Sequence, residues 1–229
     1  MVKKVSKLII IGLAFSFSSC LTNDRAASME FANAPLFGMV YDFDNQPCSG
    51  ALIVLDDEEG PQTDINGRFV IGRLPSGEHK VQVKKEGYEE LTANFKFSNK
   101  NQVLYLRVIS FNQLLRKTEY ALENKRLKET GELMKRVEAI NADDSVAMYL
   151  KAVYLMECRK PEEAVIILNK ILAEGYSEPV VYITLADIYQ YRINDAKKAL
   201  ANLEKYLQIQ RNDNIEKRLQ ALKLELEEE

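Results

Sequence analysis

One histidine, three cysteines and a few clusters of carboxylates are the side chains of this 229-residue chain with chemistry to offer. His79 is the sole histidine, so a serine–histidine–aspartate set or a histidine-rich zinc site would have to rest on it alone. It lies in the alternation Glu78-His79-Lys80-Val81-Gln82-Val83, on one face with Val81 and Val83. That spacing favours a half-buried structural histidine over a catalytic one. The acidic run Asp56-Asp57-Glu58-Glu59 reads as a solvated hairpin tip, with weak cation binding as the alternative. Asp64-x-Asn66-Gly67 invites a calcium-loop reading. With Gly67 in the turn position of such a loop, Gln62 and Arg73 fall where the first and last ligands belong, and Arg73 would repel the ion. A tight turn needing left-handed backbone is the expectation instead. Cys48 and Cys158 have no Cys or His neighbour at metal-binding spacing and fall in different expected domains, so they read as two isolated thiols. No phosphate loop or nucleophile motif appears. The expectation is a chain with no enzymatic activity, no cofactor and no metal.

Cys20 is different. The first twenty residues, MVKKVSKLIIIGLAFSFSSC, begin with Lys3, Lys4 and Lys7 and continue in a short apolar run from Leu8 to Phe17. This is the pattern of a secretory leader, and the run is too short for a stable membrane span. Phe17-Ser18-Ser19-Cys20 resembles a bacterial lipobox, whose cysteine takes a diacylglycerol and becomes the new N-terminus. Phe17 departs from the usual aliphatic residue, and ordinary cleavage leaving a free Cys20 is the alternative. Lipidation of Cys20 would hold the chain on a bilayer, since each buried methylene contributes about 0.8 kcal/mol. The expected plan is a signal peptide over 1–19 and a lipidated flexible tether over 20–35. Without the three leader lysines, 28 basic residues face 34 acidic ones. That balance offers nothing to a nucleic-acid backbone.

Residues 36–108 alternate apolar and polar types in six or seven short runs: 37–41, 51–55, 68–71, 79–83, 95–97 and 103–108. Turn-forming clusters lie between them, such as Asp44-Asn45-Gln46-Pro47 and Pro75-Ser76-Gly77. The spacing predicts an antiparallel β-sandwich. Gly38-x-Val40, Asp42, Pro47, Gly50-Ala51, Thr63-Asp64-x-Asn66-Gly67-x-Phe69, Leu74-Pro75-x-Gly77, Val81-x-Val83 and Gly87-Tyr88 together resemble the carboxypeptidase regulatory-like domain. That resemblance implies a transthyretin-like (prealbumin-like) β-sandwich acting as an accessory or binding module. The peptidase chemistry of its namesakes belongs to a separate zinc domain. His79 stands where the family usually has an aromatic residue.

After Ser110 the apolar period lengthens to between three and four, and Leu, Ala, Lys and Glu become common. Ala152 and Ala186 are 34 residues apart, and Tyr182, Leu185, Ala186 and Tyr189 have the spacing of the first helix of a tetratricopeptide repeat. Glu163-Ala164-Val165 recurs as Lys198-Ala199-Leu200 at an interval of 35, so one turn carries an extra residue. The segment resembles three tetratricopeptide repeats, near 111–144, 145–178 and 179–213, within a helical domain over 109–213. Thr118 and Thr130 replace the small residues of the first repeat. Helical hairpins of another kind are the alternative. Residues 214–229 read as a capping helix with Ile215, Leu219 and Leu222 on one stripe.

The fold expected is therefore α+β in two domains, sandwich first and helical repeats second. The resemblance implies a partner-binding face on the first helices, carrying Leu115, Leu122, Tyr149, Val153, Met156, Ile183, Asp187 and Tyr191. This face is largely apolar and suits an apolar segment of another protein. It could equally be covered from within, by the sandwich or a second copy, and the oligomeric state stays open. The function expected is a protein-interaction scaffold anchored through Cys20 in the bacterial cell envelope. The alternative is a surface lipoprotein whose sandwich binds a ligand or glycan. Against that stands an expected lack of an aromatic platform, since Tyr41, Tyr88 and Tyr105 are the sandwich's tyrosines.

Overall fold

A computed structural model describes residues 32–228. The leader, Cys20 and most of the expected tether lie outside the described residues. Seven strands come first: β1 (Ala34–Asp42), β2 (Leu52–Leu55), β3 (Glu58–Gln62), β4 (Arg68–Leu74), β5 (Gly77–Lys84), β6 (Leu91–Phe97) and β7 (Val103–Val108). β1 starts two residues inside the stretch read as tether. Two sheets form, one in the order β4-β1-β7 and one in the order β3-β2-β5-β6. Their inner faces enclose Val40, Ile53, Phe69, Val81, Val83, Leu106 and Val108. Alternation puts these residues on one side of each strand, and burying them supplies the driving force.

The sandwich is not wholly antiparallel. β1 pairs β7 in parallel, from Phe37 opposite Val103 to Asp42 opposite Val108. Alternation reports which face a residue occupies but not which strand lies beside it, so the sequence could not show this. β3 was also missed. Asp56 and Asp57 both have left-handed backbone, with φ of 50° and 68°, and make the two-residue hairpin turn. Glu58 and Glu59 already belong to the next strand.

The landmark residues have physical roles here. A Cβ on Gly38 would sit 2.0 Å from the Phe69 ring, which lies against the bare backbone. Gly67 has φ 73°, and its Cβ would meet the Val40 carbonyl at 2.4 Å. Asp64 Oδ1 accepts from the N–H groups of Asn66 and Arg68, each at 2.8 Å, so this carboxylate caps its own turn. Thr63 Oγ1 donates to the Cys48 carbonyl at 2.6 Å and accepts from Ala51 N–H at 2.8 Å, tying two loops together.

Helices follow: α1 (Phe111–Glu123), α2 (Leu127–Ile140), α3 (Ser145–Glu157), α4 (Pro161–Ala173), α5 (Pro179–Ile188), α6 (Ala196–Ile209) and α7 (Asp213–Glu228), with a π turn at Tyr189–Ile193. The starts of α1, α3, α5 and α7 are each 34 residues apart. α2 and α4 start 34 apart, α4 and α6 35 apart. The π turn takes up the extra residue. Left-handed residues Lys125, Arg159 and Asn194 close the turn within each of the three hairpins. Ala152, Ala164, Ala186 and Ala199 have no exposed surface, and large neighbours such as Leu168, Leu185 and Leu203 fill the space between the helices.

The two modules meet closely. Phe111 N–H donates to the Gly87 carbonyl at 2.8 Å, and Glu89 N–H donates to the Ile109 carbonyl at 3.0 Å. Ile109 is buried with Leu114, Leu133 and Val137 of α1 and α2. Ser110 caps α1 through a reciprocal pair with Gln113. Arg136 of α2 reaches back to both carboxylate oxygens of Glu89, each at 2.7 Å.

Candidate functional site

The first helices of the hairpins begin with deliberate stops and starts. Asp144 caps α3 by accepting from Val146 N–H and Ala147 N–H, both at 3.0 Å. Pro179 opens α5, where a missing N–H costs nothing. These signals set where each helix starts. Residues 34 apart then hold equivalent places: Val146 with Val180, Tyr149 with Ile183, Val153 with Asp187.

Val146 and Val180 are exposed, at 43% and 41%. Tyr149, Val153, Met156 and Ile183 are half-buried, each partly packed on a core cluster and partly open. Tyr149 Oη lies 3.1 Å from Thr184 Oγ1, joining α3 to α5. Thr184 itself donates to the Val180 carbonyl at 2.7 Å, so the shared proton comes from Tyr149. Leu115 is half-buried against Leu114 and Leu122 neighbours on α1. Leu122 does not belong to an open face. It is buried with Met134 and Leu150, because α2 folds back over the end of α1.

The far end of the face is built by a residue that sequence reasoning missed. Arg218 of α7 donates to Asp187 Oδ1 at 2.6 Å and to Gln190 Oε1 at 2.6 and 2.8 Å. Its guanidinium carbon lies 5.0 Å from the centre of the Tyr191 ring. Tyr191 remains 63% exposed on the π turn. The signal was present in the spacing: α7 starts 34 residues after α5, in the register of a further first helix. A cleft of about 700 Å³ lies between the π turn and the end of α7, lined by Tyr191, Ile193, Lys197, Leu222 and Glu225 among others.

The side chains singled out for chemistry are engaged elsewhere. His79 is buried on the inner face of β5, beside Phe95. Its Nδ1 is 2.6 Å from Asp56 Oδ2 and its Nε2 is 3.0 Å from the Pro75 carbonyl. Burial works against the Asp56 carboxylate, but the contacts with His79 and the Lys80 N–H outweigh it and hold its pKa below the ordinary value. Cys48 is buried and free, and burial pushes its thiol up, away from the reactive thiolate. Cys158 is half-buried and free. On the sandwich, Phe37, Tyr41 and Tyr105 share the outer face of the three-stranded sheet, contrary to the expected lack of an aromatic platform.

A search of the curated proteins finds no match. Among solved structures, a 3-chlorocatechol 1,2-dioxygenase from Rhodococcus opacus 1CP is similar at 15% identity and a TM-score of 0.28. That alignment covers 36% of this chain and 61% of the dioxygenase. A streptococcal ancillary pilin is similar at 16% identity, TM-score 0.29, over 34% of this chain and 30% of its own. BcpA, the major pilin subunit of Bacillus cereus, is similar at 19% identity, TM-score 0.28, over the same shares. This chain thus spans less than two thirds of each of these proteins. Residues 35–107 match the family model described as the carboxypeptidase regulatory-like domain, and the N-terminal module of this chain is such a domain.

Proposed function

We propose that this protein is a non-catalytic scaffold of the bacterial cell envelope, held on a membrane through acylated Cys20, whose helical region binds an apolar segment of another envelope protein. The helical region is read as a tetratricopeptide-like array because its hairpins recur every 34 residues. One observation carries the binding assignment. Val146 and Val180 stay open to solvent at equivalent places on α3 and α5, with half-open Tyr149 and Ile183 one turn further along. Isolated exposed apolar residues are ordinary, but a repeated pair with the same spacing makes a continuous strip for a partner helix or extended segment. Around it, Asp187 is already neutralised by Arg218, so the strip offers little charge to attract a polar ligand.

Photo-crosslinking in native envelopes tests this reading, with the probe at Val180 and a control at Ile65, an 81%-exposed residue of the sandwich. The expected result is one discrete adduct from Val180 and none from Ile65. Adducts to a second copy alone, or none, would show the strip to be occupied from within. Ligand binding by the sandwich would then become the leading reading.

A further inference from the structure

The two outer faces of the sandwich differ in kind. On the four-stranded sheet the outward side chains of β5 and β6 are polar: Lys80, Gln82, Lys84, Thr92, Asn94 and Lys96. The three-stranded sheet presents the opposite. Phe37 stands between Val70 and Val103 in one row across the strands. Met39 stands between Arg68 and Tyr105 in the next, and Tyr41 beside Arg107 in the last. Phe37, Val70 and Tyr105 are 49%, 48% and 68% exposed. No carboxylate points outward from these three strands, while Arg68 and Arg107 do. A soluble surface rarely leaves so many large apolar groups in consecutive rows. Apolar rows, tyrosines and arginines without acids are the composition of a surface that enters the headgroup region of an anionic bilayer.

Position points the same way. β1 begins at Ala34, three residues before Phe37, so the chain enters the sandwich at the rim of this face. Thirteen residues separate Cys20 from Ala34. Fully extended they reach about 45–50 Å, so a lipid on Cys20 would keep the face within that distance of the membrane. We propose that the outer face of the β4-β1-β7 sheet docks on an anionic lipid surface. This rests on the reading of Cys20 as acylated. A sugar ligand suits the face less well, because the amide oxygen beside it, Asn45 Oδ1, already accepts from Arg107 at 2.7 Å.

The chain contains no tryptophan, so one introduced indole reports alone. The full-length protein is purified from envelopes as the Tyr105→Trp variant and reconstituted in vesicles of equal parts phosphatidylcholine and phosphatidylglycerol, with and without brominated acyl chains. Ile166→Trp, at an exposed position on α4, is the control. An interfacial group sits about 5–10 Å deep, where bromines on the acyl chains quench it. The expected result is a blue shift and that quenching for Tyr105→Trp and neither for Ile166→Trp. Val103→Trp repeats the reading should Tyr105→Trp fold poorly, and Arg68→Glu on the Tyr105→Trp background is expected to reduce the quenching. A bright, unquenched indole on vesicles would overturn the proposal. So would a blue shift without quenching, which means that a protein or glycan covers the face. Intact mass reports acylation separately. If Cys20 carries no lipid, the anchoring reading fails, and the same vesicles still decide the docking: quenching sustains it and its absence overturns it.

Discussion

Both ring nitrogens of His79 face acceptors, a carboxylate oxygen and a backbone carbonyl. Each ring nitrogen therefore has a polar partner within hydrogen-bond distance, as a buried polar group requires. These contacts account for a buried polar ring at this place. The ring still packs on Phe95, and its two nitrogens pin the β2–β3 turn to the loop before β5. His79→Ala is expected to cost about 2–3 kcal/mol in urea unfolding, through lost packing and an unpaired Pro75 carbonyl. His79→Phe should recover the packing share and leave the carbonyl unpaired, giving a smaller loss. A variant as stable as the parent would show that the two contacts contribute nothing. The inner-face position of His79 was legible from its alternation with Val81 and Val83. Its partner was not. Asp56 lies 23 residues earlier, in a run that looks like solvated charge, and only the left-handed turn aims its carboxylate inward.

At the scale of elements, the spacing of 34 was readable because close helix packing demands small residues at fixed intervals, and Ala152 and Ala186 supply them. Thr118 and Thr130 fit where small residues were expected because each turns its hydroxyl onto a carbonyl four residues back, Leu114 at 2.8 Å and Arg126 at 3.1 Å. Both are buried without a stranded polar group. The π turn was visible only as an extra residue, and its role emerges from Arg218. By donating to Gln190 and Asp187 and lying against one side of the Tyr191 ring, that side chain ties α7 to the turn. Arg218→Ala is expected to raise amide hydrogen exchange across Tyr189–Ile193 about tenfold, the equivalent of ~1.4 kcal/mol of local stability. Unchanged exchange would mean that the turn holds its shape by backbone bonds alone. The strip along α3 and α5 was legible in type, since first-helix positions were expected to be apolar. Its limits were not, because burial of Leu122 depends on how far α2 folds over α1.

For the whole molecule, the decisive contact is the fork between Arg136 and Glu89. Hydrogen bonding from Arg136 is the main cause that lowers the Glu89 pKa below its ordinary 4.5, with burial opposing it. A depressed carboxylate pKa adds stability that is complete above the unfolded value and lost as pH falls through the folded one. Glu89→Gln is therefore expected to lower unfolding free energy by about 1 kcal/mol at neutral pH, a figure discounted for the partly exposed pair. That difference should be full above about pH 4.5 and shrink at lower pH as Glu89 protonates in the parent. A difference that persists in acid would assign the effect to something other than the ion pair. The fork joins the sandwich to the helices beside the backbone bonds at Gly87 and Ile109, so load applied to one module would pass to the other through these contacts. The parallel pairing of β1 and β7 then takes on a mechanical meaning. The chain enters β1 at Ala34, and the helices leave from the far end of β7 at Val108, about 26 Å along the strands. Tension between a membrane-held N-terminus and a partner gripping the helices would pull these two neighbouring strands in opposite directions along their length. The cross-strand bonds from Phe37 to Asp42 would bear that tension together, in shear, rather than open one after another like a zip. Under the proposed anchoring, the sandwich would act as a tensile link between the bilayer and whatever the helices hold.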